Sequence, residues 1–169
     1  MKKILIIGSP GAGKSTFAKI LAKKVGIPLY HLDLIWFHKD GNMEARDIFD
    51  SKLKKILDTD TWIIDGYYPR TLERRLQYAD TVFFFDLPEE VCLEGARKRI
   101  GKKRDDNPIY EIELNEGLKE RILKFRIFNT PFIEDLLNDF KGDIVRFQSY
   151  TDINKWLIEN VNYDTTTTC

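Results

Sequence analysis

The run Gly8-Ser9-Pro10-Gly11-Ala12-Gly13-Lys14-Ser15 reads G-x-x-x-x-G-K-S, a Walker A loop. Its chemistry follows from its residue types. Small residues let backbone N–H groups converge on phosphate oxygens, and a helix that follows adds its positive N-terminus. Lys14 then reaches the β- and γ-phosphates of a triphosphate, and the Ser15 hydroxyl ligates Mg²⁺. Gly8, Pro10, Gly11, Ala12, Gly13, Lys14, Ser15 and Thr16 are the expected contacts to ATP. The loop fixes a donor of phosphoryl groups and leaves the acceptor open.

Further candidates lie downstream. Asp33 lies just past the candidate second strand, Leu29 to His31, where an acceptor hydroxyl or phosphate is expected to lie; it is a general base, an orienting group, or simply a helix N-cap or turn residue. His31 and His38 flank it, but a metal reading needs a third ligand that the sequence does not offer, so both read as packed or surface residues. Trp36 and Phe37 read equally as an apolar wall for a ring or as core. Arg97, Lys98, Arg99, Lys102, Lys103 and Arg104 place six cations in eight positions. Such a cluster reads as a lid over phosphates, a solvated helix end, or a nucleic-acid patch. Arg70 and Arg74 share a helical face, with Arg75 expected in solvent.

These groups must be held by alternating strands and helices. Apolar runs at Lys3–Ile7, Leu29–His31, Trp62–Ile64, Thr81–Phe85 and Ile144–Phe147 predict five strands. Helical spacing predicts helices over 14–25, 45–57, 89–100, about 111–128, 131–140 and 153–161. Strands separated by helices imply an α/β fold, a parallel sheet covered on both faces, with ligands at the carboxyl ends of the strands. The predicted organisation is one domain over 1–163, a lid at about 100–110, and a low-complexity, disordered tail at 164–169.

Composition narrows the class. With 27 Lys+Arg against 27 Asp+Glu, the neutral chain has no general attraction to nucleic acid or anionic membrane. No apolar stretch approaches the roughly 20 residues of a membrane span. Cys92 and Cys169 have no metal-ligand spacing and build no disulfide framework, which points to a reducing cytoplasm. A GTPase would need N-K-x-D, and Asn154-Lys155-Trp156-Leu157 lacks the aspartate. The chain is also small for a motor ATPase core. Oligomeric state is not readable from these features.

Asp65-Gly66-Tyr67-Tyr68-Pro69-Arg70-Thr71 resembles the D-G-F-P-R-T signature of adenylate kinases, with one residue more. Arg104-Asp105-Asp106-Asn107, then Arg121, then Thr130-Pro131-Phe132-Ile133 resemble their lid and post-lid region. His31-Leu32-Asp33 followed by Trp36 is similar to an adenylate-kinase-related group, the DNA topology modulation (FlaR-like) proteins. The resemblance implies a P-loop three-layer fold with strand order 2-3-1-4-5. It also implies Asp65 at Mg²⁺, Arg70 at the acceptor phosphate or transferring group, Arg99 facing the triphosphate, and Arg104 and Arg121 closing the lid. The chain departs from the adenylate-kinase pattern in three places. T-G-D-x-x-R is absent, with His31 to Trp36 in its place; the adenine-flanking arginine falls at Gly95, with Arg97 as a substitute; and extra lid residues leave Lys103 as an alternative to Arg104. The expected function is ATP- and Mg²⁺-dependent phosphoryl transfer to a small nucleoside, nucleotide or related acceptor. The alternative is a nucleotide-dependent, DNA-associated regulatory protein without turnover.

Overall fold

Four consecutive apolar side chains, Ile4 to Ile7, must be covered on both sides if they form a strand, and in β1 (Lys3–Gly8) they are. Ile4 and Ile6 enter one core with Phe17, Phe83, Phe85 and Phe147; Leu5 and Ile7 enter the opposite core with Phe49, Leu53, Trp62 and Phe84. The computed structural model describes residues 1–161, and the predicted tail at 164–169, with Cys169, lies outside them.

Around β1 the chain alternates α1 (Lys14–Val25), β2 (Leu29–His31), α2 (Leu32–Trp36), α3 (Arg46–Leu57), β3 (Trp62–Asp65), α4 (Pro69–Leu76), β4 (Thr81–Phe85) and α5 (Glu89–Arg97). It ends with α6 (Glu116–Leu123), α7 (Phe125–Phe128), α8 (Thr130–Asn138), β5 (Asp143–Phe147) and α9 (Tyr150–Val161). Every strand pair is parallel and the order is β2-β3-β1-β4-β5, as the resemblance implied. The chain leaves β1 toward β3 and β2, then returns to its other side with β4. The carboxyl end of β1 is therefore the switch point, where a doubly wound sheet opens a crevice.

Two segments depart from the expected elements. The helix predicted from 111 begins only at Glu116, because Asn115 caps it, accepting from the Leu118 N–H at 2.8 Å, and Glu111 is bound to arginines instead. The helix predicted to reach Ile100 ends at Arg97, so 98–115 carries neither helix nor strand. Among the described residues, no helix is long and apolar enough to cross a membrane.

Candidate functional site

A cavity of about 880 Å³ opens at the carboxyl ends of β1, β2 and β3. Its floor is the loop between β1 and α1. Gly8, Pro10, Gly11, Gly13, Lys14, Ser15 and Thr16 line it, whereas Ala12 turns its methyl into the core. Gly95 of α5 lies against this loop so closely that an ideal Cβ would sit 2.0 Å from the Gly11 carbonyl oxygen. No arginine fits at that position. Arg97 is exposed and does not line the cavity either; Tyr150, at the start of α9, forms the wall beside Gly13 and Gly95.

Lys14 Nζ donates to the Ser9 carbonyl at 2.8 Å, lying across the mouth of its own loop. Burial pulls its pKa down, and the Asp65 and Asp33 carboxylates pull the other way. The Ser15 hydroxyl donates to Asp65 Oδ2 at 2.6 Å, and His31 Nδ1 lies 2.8 Å from the same oxygen. Asp65 is buried, and its Oδ1 has no hydrogen-bond partner among the described residues. An orphan carboxylate oxygen is costly unless a cation or water meets it. It thus fits a Mg²⁺ held by the Ser15 hydroxyl, Asp65, phosphates and water. No group of three or more His, Cys, Asp or Glu among the described residues forms an all-protein metal cage. His31, read from the sequence as a packed residue, is packed and also orients this carboxylate; only its bond to Asp65, 34 positions away, reveals that.

At the other end of the cavity, Asp33 accepts from the Tyr68 hydroxyl at 2.8 Å and from the Asn107 side-chain amide at 2.9 Å. Burial pushes the Asp33 carboxyl above the ordinary carboxylate range and the Asp65 charge adds to this, while the Tyr68 bond, Lys14 and Arg104 oppose it. Tyr68 holds a left-handed backbone at φ 38, a conformation that costs a non-glycine residue about 1–2 kcal/mol. It is kept there by stacking on Phe49 and by Arg75, which donates to the Tyr68 carbonyl at 2.9 Å. Arg75 is fully buried, not solvated as its neighbours suggested: it also donates to the carbonyls of Gly66, Tyr67 and Thr71. Trp36 and Phe37 line this end too, and Trp36 packs edge-on against Phe49 and Tyr68, so wall and core are one surface.

The expected arginines separate into two groups. Arg99, Arg104 and Arg121 line the cavity. Arg99 is bound to Glu111 (2.6 and 2.8 Å), and burial lowers its pKa against the pull of that carboxylate. Arg104 is bound to Asp106 at 2.5 Å and lies 3.6 Å from Glu111; burial opposes these bonds, yet they hold its pKa above the ordinary value. Lys19 of α1 pairs with Asp105 and Asp106. The basic stretch thus carries its own carboxylates and is knotted over the phosphate loop. Arg121 is exposed and donates to the Gly117 carbonyl. Arg70 is not brought to the site: its guanidinium forms a two-bond pair with Asp50 (2.7 and 2.9 Å) and does not line the cavity. His38 is exposed as expected.

Comparisons with known proteins bear on the family and the fold. The family described as ATPase family associated with various cellular activities (AAA) matches residues 4–86, the part that carries the phosphate loop. An adenylate kinase of Campylobacter jejuni subsp. doylei is 31% identical over an alignment spanning 88% of this chain and 100% of that protein. Among solved structures, shikimate kinase from Acinetobacter baumannii in complex with shikimate superposes with a TM-score of 0.60 at 18% identity, covering 96% of this chain and 94% of that one. Deoxyadenosine kinase from M. mycoides with bound dATP gives 0.56 at 16% identity, covering 96% of this chain and 100% of that one.

Proposed function

Because the chain belongs to the adenylate-kinase-related P-loop kinases, we propose that it moves the γ-phosphoryl group of ATP to a small acceptor bound beside Asp33. The observation that carries this reading is the cavity with the Lys14, Ser15 and Asp65 cluster at one end and a partly buried carboxylate at the other.

The phosphate loop binds the triphosphate, and Lys14 swings from the Ser9 carbonyl onto phosphate oxygens. Mg²⁺, when bound, neutralises phosphate charge and holds the reacting groups in line. Arg99 and Arg104 bring positive charge to the same space and, with the 98–115 segment, keep water away. Tyr68 and Asn107 fix Asp33 so that its carboxylate meets the acceptor hydroxyl. The acceptor oxygen bonds to the γ-phosphorus, the bond from that phosphorus to the β–γ bridging oxygen breaks, and the hydroxyl proton passes to Asp33. ADP leaves with the electron pair. Phosphoryl transfer depends mostly on positioning and charge neutralisation in a dry site, which these residues supply. Two cations of the basic stretch, Arg99 and Arg104, are committed to Glu111 and Asp106 inside the cavity, which favours the kinase reading over a DNA-associated role.

Asp65→Asn tests the donor half. The amide keeps the shape and removes the charge at the orphan oxygen. Calorimetric ATP affinity should then lose about tenfold of its Mg²⁺-dependent gain, with Mg²⁺-free affinity nearly unchanged. An unaltered Mg²⁺ dependence would remove Asp65 from the metal site.

A further inference from the structure

The acceptor end differs from the donor end in charge and in surface, and resting on the kinase reading above, we propose that the acceptor is a nucleoside: an uncharged flat ring bearing a hydroxyl, rather than a phosphorylated molecule. Three observations point there. Aromatic side chains dominate the walls around Asp33, where Trp36, Phe37, Tyr67, Tyr68 and Phe125 face one space. Ring faces and edges of this kind take a flat ring, and base–aromatic stacking is tolerant of the base.

Charge is the second observation. Two of the three arginines that follow β3 are fixed elsewhere: Arg70 on Asp50 and Arg75 on buried carbonyls, and neither they nor Arg74 line the cavity. Where adenylate kinases carry the arginine of T-G-D-x-x-R, this chain has Trp36. The cations that do line the cavity belong to the phosphate loop, α1 and 98–104, from where Lys14 and Arg104 act on Asp33, and to Arg121, which is exposed and donates to a backbone carbonyl. A phosphate carried on the acceptor would instead meet the Asp33 carboxylate, a like charge in a partly desolvated site. A hydroxyl meets the same group as a hydrogen-bond acceptor and base.

The third observation is an unused polar atom. The Tyr67 hydroxyl is buried with no partner among the described residues, at a residue that lines this end. A neutral hydroxyl left unpaired suits the edge of a base or a sugar hydroxyl better than bare hydrocarbon.

Substrate competition tests the proposal. The full chain is given ATP, Mg²⁺ and, in turn, adenosine, guanosine, cytidine and uridine and their monophosphates, with ADP release and intrinsic tryptophan fluorescence as separate readouts. At least one nucleoside should exceed its monophosphate in kcat/KM by about 10²-fold. Trp36→Ala should raise the nucleoside KM about tenfold with little change in kcat, and Trp36→Phe, which keeps a ring, should recover most of the loss. Equal or better use of the monophosphates overturns the nucleoside assignment and leaves the kinase reading intact. Nucleoside binding seen by fluorescence without any phosphoryl transfer has the reverse meaning: the assignment of the pocket stands and the kinase reading falls. Absence of nucleoside binding overturns the proposal outright.

Discussion

Lys14→Ala lowers the rate of phosphoryl transfer by about 10²–10³-fold, equivalent to about 2.7–4 kcal/mol of lost transition-state stabilisation. The lysine stands at the first position of α1, on the Ser9 carbonyl at 2.8 Å, where burial lowers its pKa and the Asp65 and Asp33 charges act against that. An anionic triphosphate favours its charged form and only has to replace a backbone carbonyl as its partner. No other side chain of the phosphate loop can supply that charge. The substitution leaves the fold intact, because alanine is favourable in the first turn of a helix. Thermal unfolding within a few degrees of the parent, alongside lost turnover, separates a chemical role from a structural one. Retained turnover would exclude Lys14 from the reaction.

Arg75→Ala destabilises the protein by about 3–5 kcal/mol, which at roughly 2–4 °C per kcal/mol for a chain of this size lowers Tm by about 6–20 °C. The guanidinium is fully buried and donates to four main-chain carbonyls, those of Gly66, Tyr67, Tyr68 and Thr71. No carboxylate pairs with it among the described residues, and carbonyl dipoles alone offset its charge. Removing the side chain strands buried acceptors and frees the turn that holds Tyr68 in its left-handed conformation. Since Tyr68 in turn holds Asp33, the loss spreads to the acceptor end. Arg75→Lys keeps the charge but not the fork of donors, and should recover less than half of the stability. Denaturant melts of the three proteins measure this. A loss below about 1 kcal/mol for the alanine variant would show that the turn is held by other contacts.

Lys14 lines the site and Arg75 holds its wall from behind, yet only the first could be assigned from sequence. Lys14 sits in a motif whose spacing determines its geometry, because strand, loop and helix are all local. The central strands were legible for the same reason: buried parallel strands are continuous apolar runs such as Ile4 to Ile7 and Val82 to Phe85, whereas the edge strand β5 is mostly exposed. The arginines were not legible. Arg70, Arg75 and Arg99 are chemically identical, and each is defined by a partner brought from elsewhere: Asp50, the 66–68 turn and Glu111. Asn107 reaches Asp33 across 74 positions of sequence, and no periodicity marks such a pair. The short helix α2 escaped detection and α4 was read only as the shared helical face of Arg70 and Arg74, because their starts depend on tertiary context, α4 following a tyrosine at positive φ. Charge and spacing named the donor site; long-range pairing built the acceptor site.

The claim that unites these observations is transfer of the γ-phosphoryl group to an acceptor hydroxyl rather than to water. Phosphorus NMR of the full chain with ATP, Mg²⁺ and the nucleoside panel reads it directly. A phosphomonoester resonance should grow in step with ADP and be lost in Lys14→Ala. ATP consumption that appears only as inorganic phosphate, or an ester formed equally well by the Lys14→Ala protein, would contradict that claim.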